Sequence, residues 1–322
     1  MLVASPAAAV LVPSNLGAGP AAPASAGAPR LDAMSGGLVD ARTGVTLWGK
    51  DFDAGRPMGS ITKVMTALLV IRAGDLGREI EVSRGAIQYV HKRGASSAGL
   101  IAGDVLTARQ LLEAMLLPSG CDAAYLLATS YGPGRNAFIA KMNAAATAMG
   151  LASTRFSHFD GMPYPTEYST YSSPADLIRL GEQAMRLPLF RRIVAQRSYQ
   201  LAAGPGHHSY LWQTTNGLLG SYPGMLGIKT GNTNVAGNCF LFEARRNGRT
   251  LIGVLLHVDP TRNGAALFTA ARRLLNWGSH RIEPAGPRPG NEGTGPQAIG
   301  GFRGVAPPGQ HGHRGVAPPA ST

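Results

Sequence analysis

The spacing of apolar residues near the start of this 322-residue chain changes from a strand pattern to a helix pattern. Residues 38–48 alternate apolar and polar positions on either side of a turn at 42–44, which predicts two short antiparallel strands. The apolar residues of 61–69 then recur at helical spacing, directly after a proline and a glycine. A hairpin is therefore predicted to lead into a helix that begins at Ser60.

Helical spacing dominates the middle of the chain. Residues 84–177 are interpreted as helices and loops that form an inserted all-helical lobe, with helices over 108–117, 122–130 and 135–149. A further helix is predicted over 174–185, because a proline at a first helical position is favoured there.

The strand pattern returns after Ser209. Segments 225–232, 236–245 and 250–258 are apolar and separated by short turns, which predicts an antiparallel sheet, and 265–277 forms an amphipathic helix. Strands before and after the helical block must share one sheet if the core is to be continuous. The pattern therefore predicts an α/β protein of the α+β kind.

The two ends differ from the body in composition. Residues 1–29 are rich in Ala, Pro and Ser, with an apolar run and an Ala-Ser-Ala site at 24–26, which predicts a leader that signals export; a merely disordered leader is the alternative. Residues 285–322 hold a near-repeat rich in Pro and Gly and are predicted to be a disordered tail. The folded domain is therefore expected over 30–284. No apolar run reaches the roughly 18 residues that span a bilayer.

The net charge of the chain limits the classes of binding partner to be considered. The chain has a net charge of +12, and the tail contributes three arginines and one glutamate, which leaves +10 on the remainder. A basic body favours nucleic acid, an anionic membrane or an anionic wall polymer. The chain lacks helix-turn-helix and zinc-finger spacing and its arginines are scattered, so no nucleic-acid partner is expected. Two cysteines cannot build a disulfide framework.

The candidate chemistry begins with Ser60 and Lys63. On a helix, residues three apart share a face, so the amine of Lys63 can reach the hydroxyl of Ser60. A serine hydroxyl needs such a neighbour to take its proton during attack, and free N–H groups at a helix start favour negative charge there. Ser-x-x-Lys also occurs by chance, so the pair alone is a hypothesis.

Two further motifs strengthen this hypothesis. The sequence Pro-Ser-Gly-Cys-Asp at 118–122 lies in a loop between predicted helices, from which Ser119 and Cys121 are expected to project into a cleft. The sequence Gly-Ile-Lys-Thr-Gly at 227–231 lies on a predicted strand, where Lys229 and Gly231 face one way. Gly231 is expected to leave room for a substrate backbone along the strand edge.

The ordered set Ser-x-x-Lys, Ser-x-Cys and Lys-Thr-Gly resembles the active-site motifs of penicillin-binding proteins and β-lactamases. From about residue 38 to 283 the chain is most similar to the low-molecular-mass penicillin-binding proteins, which are serine-type D-Ala-D-Ala carboxypeptidases and transpeptidases. The resemblance implies the penicillin-binding protein/β-lactamase-like transpeptidase fold. In that fold a five-stranded antiparallel sheet is flanked by helices and carries an inserted all-helical lobe.

The resemblance also implies a role for each motif residue. Ser60 would form the acyl-enzyme, Lys63 would act as base and Ser119 would relay a proton to the leaving nitrogen. The backbone N–H groups of Ser60 and Asn232 would form the oxyanion hole. Four residues would bind the substrate, namely Cys121, Lys229, Thr230 and Gly231, and Arg262 is a weaker candidate.

The implied ligands follow from the same resemblance. The substrate would be a peptidoglycan stem peptide that ends in D-Ala-D-Ala, and β-lactams would inhibit. No metal, organic cofactor or stable protein partner is implied. Such a substrate exists only outside the cytoplasmic membrane, so the protein is expected to be exported to the cell wall or secreted.

One departure from the family pattern concerns Cys121, where most members have asparagine. A thiol is a weak donor and a weak acceptor, so substrate positioning is expected to differ. A small actinobacterial DD-transpeptidase of the family also has Ser-Gly-Cys, so the cysteine does not imply a loss of activity, and it slightly favours transfer over hydrolysis. Two alternatives stay open: a non-catalytic wall-binding protein on the same fold, and a β-lactamase, although Glu167 lacks the Glu-x-x-x-Asn pattern of a deacylating loop.

Overall fold

A computed structural model describes residues 27–258 and 264–281 of the chain. Most of the predicted leader, Arg262 and the predicted tail lie outside the described residues. Nine strands and eight α-helices run through the two described ranges.

The strands and helices are numbered in chain order. The strands are β1 Ala33–Asp40, β2 Thr46–Lys50, β3 Glu79–Glu81, β4 Val105–Thr107, β5 Ser198–Leu201, β6 Tyr210–Gln213, β7 Met225–Thr233, β8 Gly237–Arg246 and β9 Arg249–Val258. The helices are α1 Lys63–Ala73, α2 Arg84–Arg93, α3 Ala108–Leu116, α4 Cys121–Tyr131, α5 Arg135–Ala148, α6 Pro174–Met185, α7 Pro188–Val194 and α8 Ala265–Ser279.

The main sheet has five strands in the order β2-β1-β9-β8-β7, and every neighbouring pair is antiparallel. The β1–β2 turn is closed by Asp40, whose Oδ1 accepts the backbone N–H groups of Arg42 and Thr43 at 3.0 and 3.1 Å. Because β1 pairs with β9, the strands before and after the helical lobe form one sheet, as the sequence predicted.

The two faces of the sheet carry different cores. Alternate residues of a strand point to opposite faces, so Leu38 and Phe240 pack under α8 while Val39 and Leu241 face the helical lobe. The α8 face is closed by apolar residues such as Leu274. On the other face α1 is almost wholly buried at the centre of the lobe, which fixes the helix that follows Ser60.

Several elements carried too little pattern to be predicted. The two small sheets β3–β4 and β5–β6 have strands of three or four residues, too short for a clear alternation. Helix α2 buries only Ala86, Tyr89 and Val90, and its start is marked by Ser83, whose Oγ accepts the N–H of Ala86 at 3.3 Å. By contrast, the capped and proline-led α6 has the predicted bounds.

Within the described residues, the structure contains no helix that is both long enough and apolar enough to cross a membrane.

Candidate active site

Ser60 lies in a short turn of 3₁₀ helix, Gly59–Thr62, that runs directly into α1. The sequence predicted a helix start here, and the structure shows that its first turn is tighter than an α-helix. A 3₁₀ helix has three residues per turn, so residues three apart lie one above the other. The Nζ of Lys63 therefore lies 2.7 Å from the Oγ of Ser60.

The amine of Lys63 has four polar neighbours and no exposed surface. Besides Ser60 they are the Sγ of Cys121 at 3.2 Å, the carbonyl oxygen of Asp160 at 3.2 Å and the Oγ of Ser119 at 3.4 Å. A carbonyl oxygen can only accept, so one hydrogen of Lys63 points at the carbonyl of Asp160. This contact holds the amine beside the hydroxyl of Ser60.

Ser119 and Cys121 follow α3 and enter the site from the helical lobe. Ser119 is mostly buried and has a φ of 66°, a conformation that side chains seldom adopt, and its carbonyl accepts the hydroxyl of Ser96 at 2.6 Å. The strained turn is therefore held in place from outside, and it aims the Ser119 hydroxyl at Lys63.

Cys121 does not project into the cleft, contrary to the sequence-based expectation. Its side chain is fully buried in the apolar core, with its sulfur against Lys63. The sequence placed Cys121 in the loop, but it is the first residue of α4, which turns its side chain inward. Burial raises the pKa of the Cys121 thiol to about 11, although the charge of Lys63 opposes this. The group is therefore a neutral thiol at neutral pH.

Lys229 is also buried, although the sequence motif suggested a side chain that meets the substrate. It is 1% exposed, and its Nζ donates to the carbonyl of its neighbour Thr230 at 3.1 Å. Burial, and then the charge of Lys63, lower the pKa of Lys229 well below its ordinary value. The amine thus lies behind the cleft wall, while Thr230 lies on that wall.

Gly59 and Gly231 allow the Ser60 turn to lie against β7. A side chain at 231 would meet the carbonyl of Met58 at 2.3 Å, and one at 59 would meet the backbone nitrogen of Asn232 at 2.8 Å. The sequence-based reason for Gly231 was room for a substrate, whereas the structure shows room for the turn. Gly59 also has a φ of 53°, which glycine adopts without strain. This approach brings the backbones of Ser60 and Asn232 together.

These groups border an open cleft of about 600 Å³ between the helical lobe and β7. Its wall includes Ser60, Ser119, Thr230, Gly231 and Asn232. It also includes Arg93 and Glu167 from the lobe, and Phe268 from α8. The structure thus places five of the predicted site residues on the cleft wall, with Lys63 directly beneath Ser60.

Two residues of the site carried no signal that the sequence patterns used. Thr215 lies on the cleft wall, where its Oγ1 is 2.6 Å from the Oγ1 of Thr230, and Asp160 touches Lys63. Thr215 directly precedes an Asn-Gly pair, and Asp160 directly precedes Gly161, so a polar residue within two positions of a glycine was the available hint. Among the described residues, no cluster of three or more His, Cys, Asp or Glu side chains could hold a metal.

Comparisons with known proteins agree with this geometry. A family model described as D-alanyl-D-alanine carboxypeptidase matches residues 22–260. A D-alanyl-D-alanine carboxypeptidase of Streptomyces sp. strain K15 is 39% identical over 282 residues, which cover 84% of this chain and 94% of the relative. A D-alanyl-D-alanine carboxypeptidase of Mycobacterium tuberculosis is 33% identical over 241 residues, covering 75% of this chain and 80% of the relative.

Solved structures show the same likeness. The crystal structure of the Streptomyces K15 DD-transpeptidase superimposes with a TM-score of 0.73 at 38% identity, covering 78% of this chain and 98% of that one. The D-alanyl-D-alanine carboxypeptidase from M. tuberculosis H37Rv superimposes with a TM-score of 0.72 at 31% identity, covering 80% of this chain and 95% of that one.

Proposed function

This chain belongs to the D-alanyl-D-alanine carboxypeptidase family and is a serine peptidase with the penicillin-binding protein fold, and from this premise we propose that Ser60 is its nucleophile and Lys63 its base. The resemblance found in the sequence is thereby confirmed, and neither a β-lactamase nor a non-catalytic wall-binding protein is favoured. The observation that carries the proposal is the 2.7 Å contact between Lys63 Nζ and Ser60 Oγ at the edge of an open cleft.

The proposed substrate is a peptidoglycan stem peptide that ends in D-Ala-D-Ala. Ser60 Oγ attacks the carbonyl carbon of the penultimate D-Ala and gives its proton to Lys63. The peptide C–N bond breaks, the terminal D-Ala leaves as an amine, and an ester to Ser60 forms. Water then hydrolyses the ester, or an amine of a second peptide takes over the acyl group.

Ser119 is proposed to carry the proton from Lys63 to the leaving nitrogen. Its hydroxyl both accepts and donates, and it lies 3.4 Å from Lys63 on the cleft wall. Cys121, which is buried, does not touch the substrate in this scheme. As a neutral thiol it contributes a weak hydrogen bond to Lys63, in place of an amide that would compete for the amine more strongly.

The backbone N–H groups of Ser60 and Asn232 are proposed to form the oxyanion hole. Gly59 and Gly231 support this role, because they let the Ser60 turn approach β7 until the two backbones nearly touch. Each such donor contributes on the order of 10²–10³ to the rate. The donors belong to a helix start and a sheet strand, so neither has to move during the reaction.

The terminal carboxylate of the substrate is proposed to bind at Thr230 and Thr215, with Lys229 behind them. The two hydroxyls face each other on the cleft wall and can both donate to a carboxylate. An arriving anion favours the charged form of the buried Lys229, whose pKa is low in the empty site. Binding of the carboxylate and protonation of Lys229 are therefore coupled.

The protein is further proposed to act outside the cytoplasmic membrane, where DD-peptidase substrates are assembled. The signal expected at the start of the chain lies outside the described residues, so its processing needs a direct test. N-terminal sequencing of protein exported by an expressing cell should give a first residue close to Gly27. An intact leader on the exported protein would contradict the proposed cleavage site.

A labelled penicillin tests the proposed function. The wild-type protein should acquire one covalent label that persists for many minutes, and it should release D-Ala from a peptide ending in D-Ala-D-Ala. Ser60→Ala should do neither. Ser221→Ala is a matched control, because this exposed hydroxyl is not on the cleft wall and bonds only locally, donating to the carbonyl of Gly217 and accepting from Arg272.

The outcomes separate the alternatives. A label that is lost within seconds would indicate a β-lactamase, and an unlabelled wild-type protein would indicate a binder. Persistent labelling of Ser60→Ala would place the nucleophile elsewhere. The yield of transfer product after an amine acceptor is added then distinguishes transfer of the acyl group from its hydrolysis.

A further inference from the structure

Asp160 is a fully buried acid beside Lys63 that has no role in the mechanism proposed above. Its backbone carbonyl lies 3.2 Å from Lys63 Nζ. Its carboxylate receives three hydrogen bonds, from Nδ1 of His158 at 2.7 Å, from the backbone N–H of Met162 at 2.9 Å and from the hydroxyl of Tyr89 at 2.7 Å. The fold therefore holds the Asp160 carboxylate in one position with three hydrogen-bond donors.

The Asp160 carboxylate is ionised. Burial alone would raise the pKa of Asp160, but the hydrogen bond and charge of His158 and the charge of Lys63 outweigh burial and lower it. The pKa of Tyr89 is raised, by burial and then by the charge and hydrogen bond of Asp160, so its phenol stays a donor. The side chain of Asp160 therefore carries a fixed negative charge.

The segment that carries Asp160 is fixed against α1. The hydroxyl of Thr66 in α1 donates to the carbonyl of Phe159. The ring of His158 lies 4.2 Å from that of Phe159 and is stacked on Tyr89, with centroids 5.7 Å apart. Because Lys63 is on the same helix as Thr66, the distance between Lys63 and the Asp160 carbonyl is set by rigid packing.

The other groups that face Lys63 carry no negative charge. Lys229 approaches from β7, and burial lowers its pKa. Cys121 approaches from α4 as a thiol with a pKa of about 11. Ser60 and Ser119 supply hydroxyls. Asp160 is therefore the group that brings a negative charge near Lys63 in the described part of the site.

We propose that Asp160 is a positioning residue for Lys63, whose carbonyl orients the amine and whose carboxylate stabilises the positive charge that Lys63 gains from Ser60. His158 and Tyr89 hold that carboxylate in place. This inference rests on the proposed roles of Ser60 and Lys63. It adds that the strength of the base is set by a buried acid outside the three motifs.

The inference predicts a particular pH signature. Without the Asp160 charge the amine of Lys63 holds a proton less strongly, so it is a weaker base and is free at lower pH. The plateau rate of acylation should fall about tenfold, and the acidic limb of the pH profile should move down by about one pH unit. The wild-type and variant rates should therefore converge at low pH.

The experiment measures the second-order rate of acylation by a penicillin across the pH range for wild type, Asp160→Asn and Asp160→Ser. In the asparagine variant Oδ1 can still accept from His158 and Met162, and the amide meets a Tyr89 hydroxyl that can rotate to accept. Both variants remove the charge but differ in shape, so the test still works if one of them folds poorly. Melting curves show whether either variant has a folding defect.

Asp122→Asn is the matched control. Asp122 is likewise fully buried, and it accepts from Ser97 Oγ at 2.6 Å and from the N–H of Ala98 at 3.0 Å. The substitution changes a buried acid of the same kind that makes no hydrogen bond to Lys63. It should lower stability and leave the acidic limb where the wild type has it.

The possible results separate the two proposals. A limb that moves down in both Asp160 variants, with convergence at low pH, supports the inference. An unmoved limb, or a rate reduced by the same factor at every pH, overturns it even though the wild type is labelled at Ser60. A wild type that no penicillin labels overturns the proposed function, and this inference with it.

Discussion

Two surface depressions in the described part of the molecule are of nearly equal size and differ in the contacts that their polar atoms make. The candidate catalytic cleft, which Ser60 borders, measures about 600 Å³. The second groove measures about 610 Å³ and is defined by Asn136, Ile139, Asn143, Thr154, Arg155, Phe156, Ser157 and Tyr171. Volume alone therefore does not identify the active site.

In the second groove the polar side chains hold the fold together. The amide of Asn143 bonds both the N–H and the carbonyl of Phe156, at 2.9 and 2.7 Å, and the hydroxyl of Ser157 donates to the carbonyl of Ser169 at 2.8 Å. In the catalytic cleft, by contrast, a hydroxyl lies against a buried amine, and a second buried amine has a lowered pKa. The comparison indicates that an active site is marked by reactive side chains that lie together and have shifted pKa values. Polar side chains whose hydrogen bonds all go to the protein backbone indicate a structural role.

The largest expected effect is on catalytic activity, and it is tested by replacing one serine in each of the two regions. Ser60→Ala should reduce D-Ala release by at least about 10⁴-fold, because the nucleophile is lost. Ser157→Ala should leave the rate within about twofold and cost about 1 kcal/mol of stability, the value of one hydrogen bond. Kinetics and thermal melts of both variants measure this. Comparable rate losses in the two variants would remove the distinction between the regions.

The next effect concerns Lys229, for which activity and stability should change in opposite directions. Lys229→Met should slow acylation about 10²-fold, because the partner of the substrate carboxylate is lost. It should also raise the free energy of unfolding at neutral pH, since burial of an ionisable amine costs free energy in the folded state only.

The sign of the pH dependence of stability tests whether the buried Lys229 amine causes the stability difference. Between the lowered pKa and the ordinary lysine pKa near 10.4, the unfolded wild-type chain binds a proton that the folded chain lacks, so wild-type stability rises with pH. The advantage of Lys229→Met should therefore shrink from pH 7 to pH 10 in denaturant melts. Lys141→Met, at a lysine that donates to the carbonyl of Tyr131, is the control and should show no such advantage.

A third effect tests the second groove as scaffold. Asn143→Ala should cost about 2 kcal/mol of stability, since it leaves the backbone groups of Phe156 without their partner. Acylation per folded molecule should change less than about threefold. Chemical denaturation and penicillin labelling provide the two readouts. A large loss of acylation with normal stability would assign this groove to the reaction.

The smallest effect comes from a perturbed acid outside both depressions. Burial raises the pKa of Glu243 on β8 to about 7, although the charge of Arg191 opposes this. Its stabilising contribution is fully present below the unfolded pKa near 4.3 and is lost as pH rises to about 7. Glu243→Gln should be more stable than wild type at pH 8, and the two proteins should be equally stable near pH 4. A change in acylation rate would link Glu243 to catalysis.

The sequence predicted the parts of the molecule whose pattern is local. Alternation and turn residues predicted β1, β2 and the order β7 to β9, and the i to i+3 spacing predicted the contact of Ser60 with Lys63. Short strands such as β3 gave no usable period. The bounds of α6 were predicted because proline and Ser173 mark its start.

The side on which a residue lies was harder to predict than the element that carries it. Cys121 and Lys229 both proved buried, because the packing of the lobe against β7 decides which face is covered. Asp160 was not predicted, because its environment comes from three hydrogen-bond donors that no sequence pattern brings together. Tyr89 is distant in sequence, and His158 and Met162 lie in a loop without helical or strand spacing. Motifs therefore located the chemistry, while the environment of each group required the fold.

Peptide mapping of the penicillin adduct is the most direct test of the central claim that Ser60 and Lys63 form the acylating pair. After reaction of the wild type, digestion and mass spectrometry should find one ester-linked adduct, on the peptide that contains Ser60, and Lys63→Ala should slow its formation by several orders of magnitude. An adduct on another residue, or unchanged acylation in Lys63→Ala, would contradict the account.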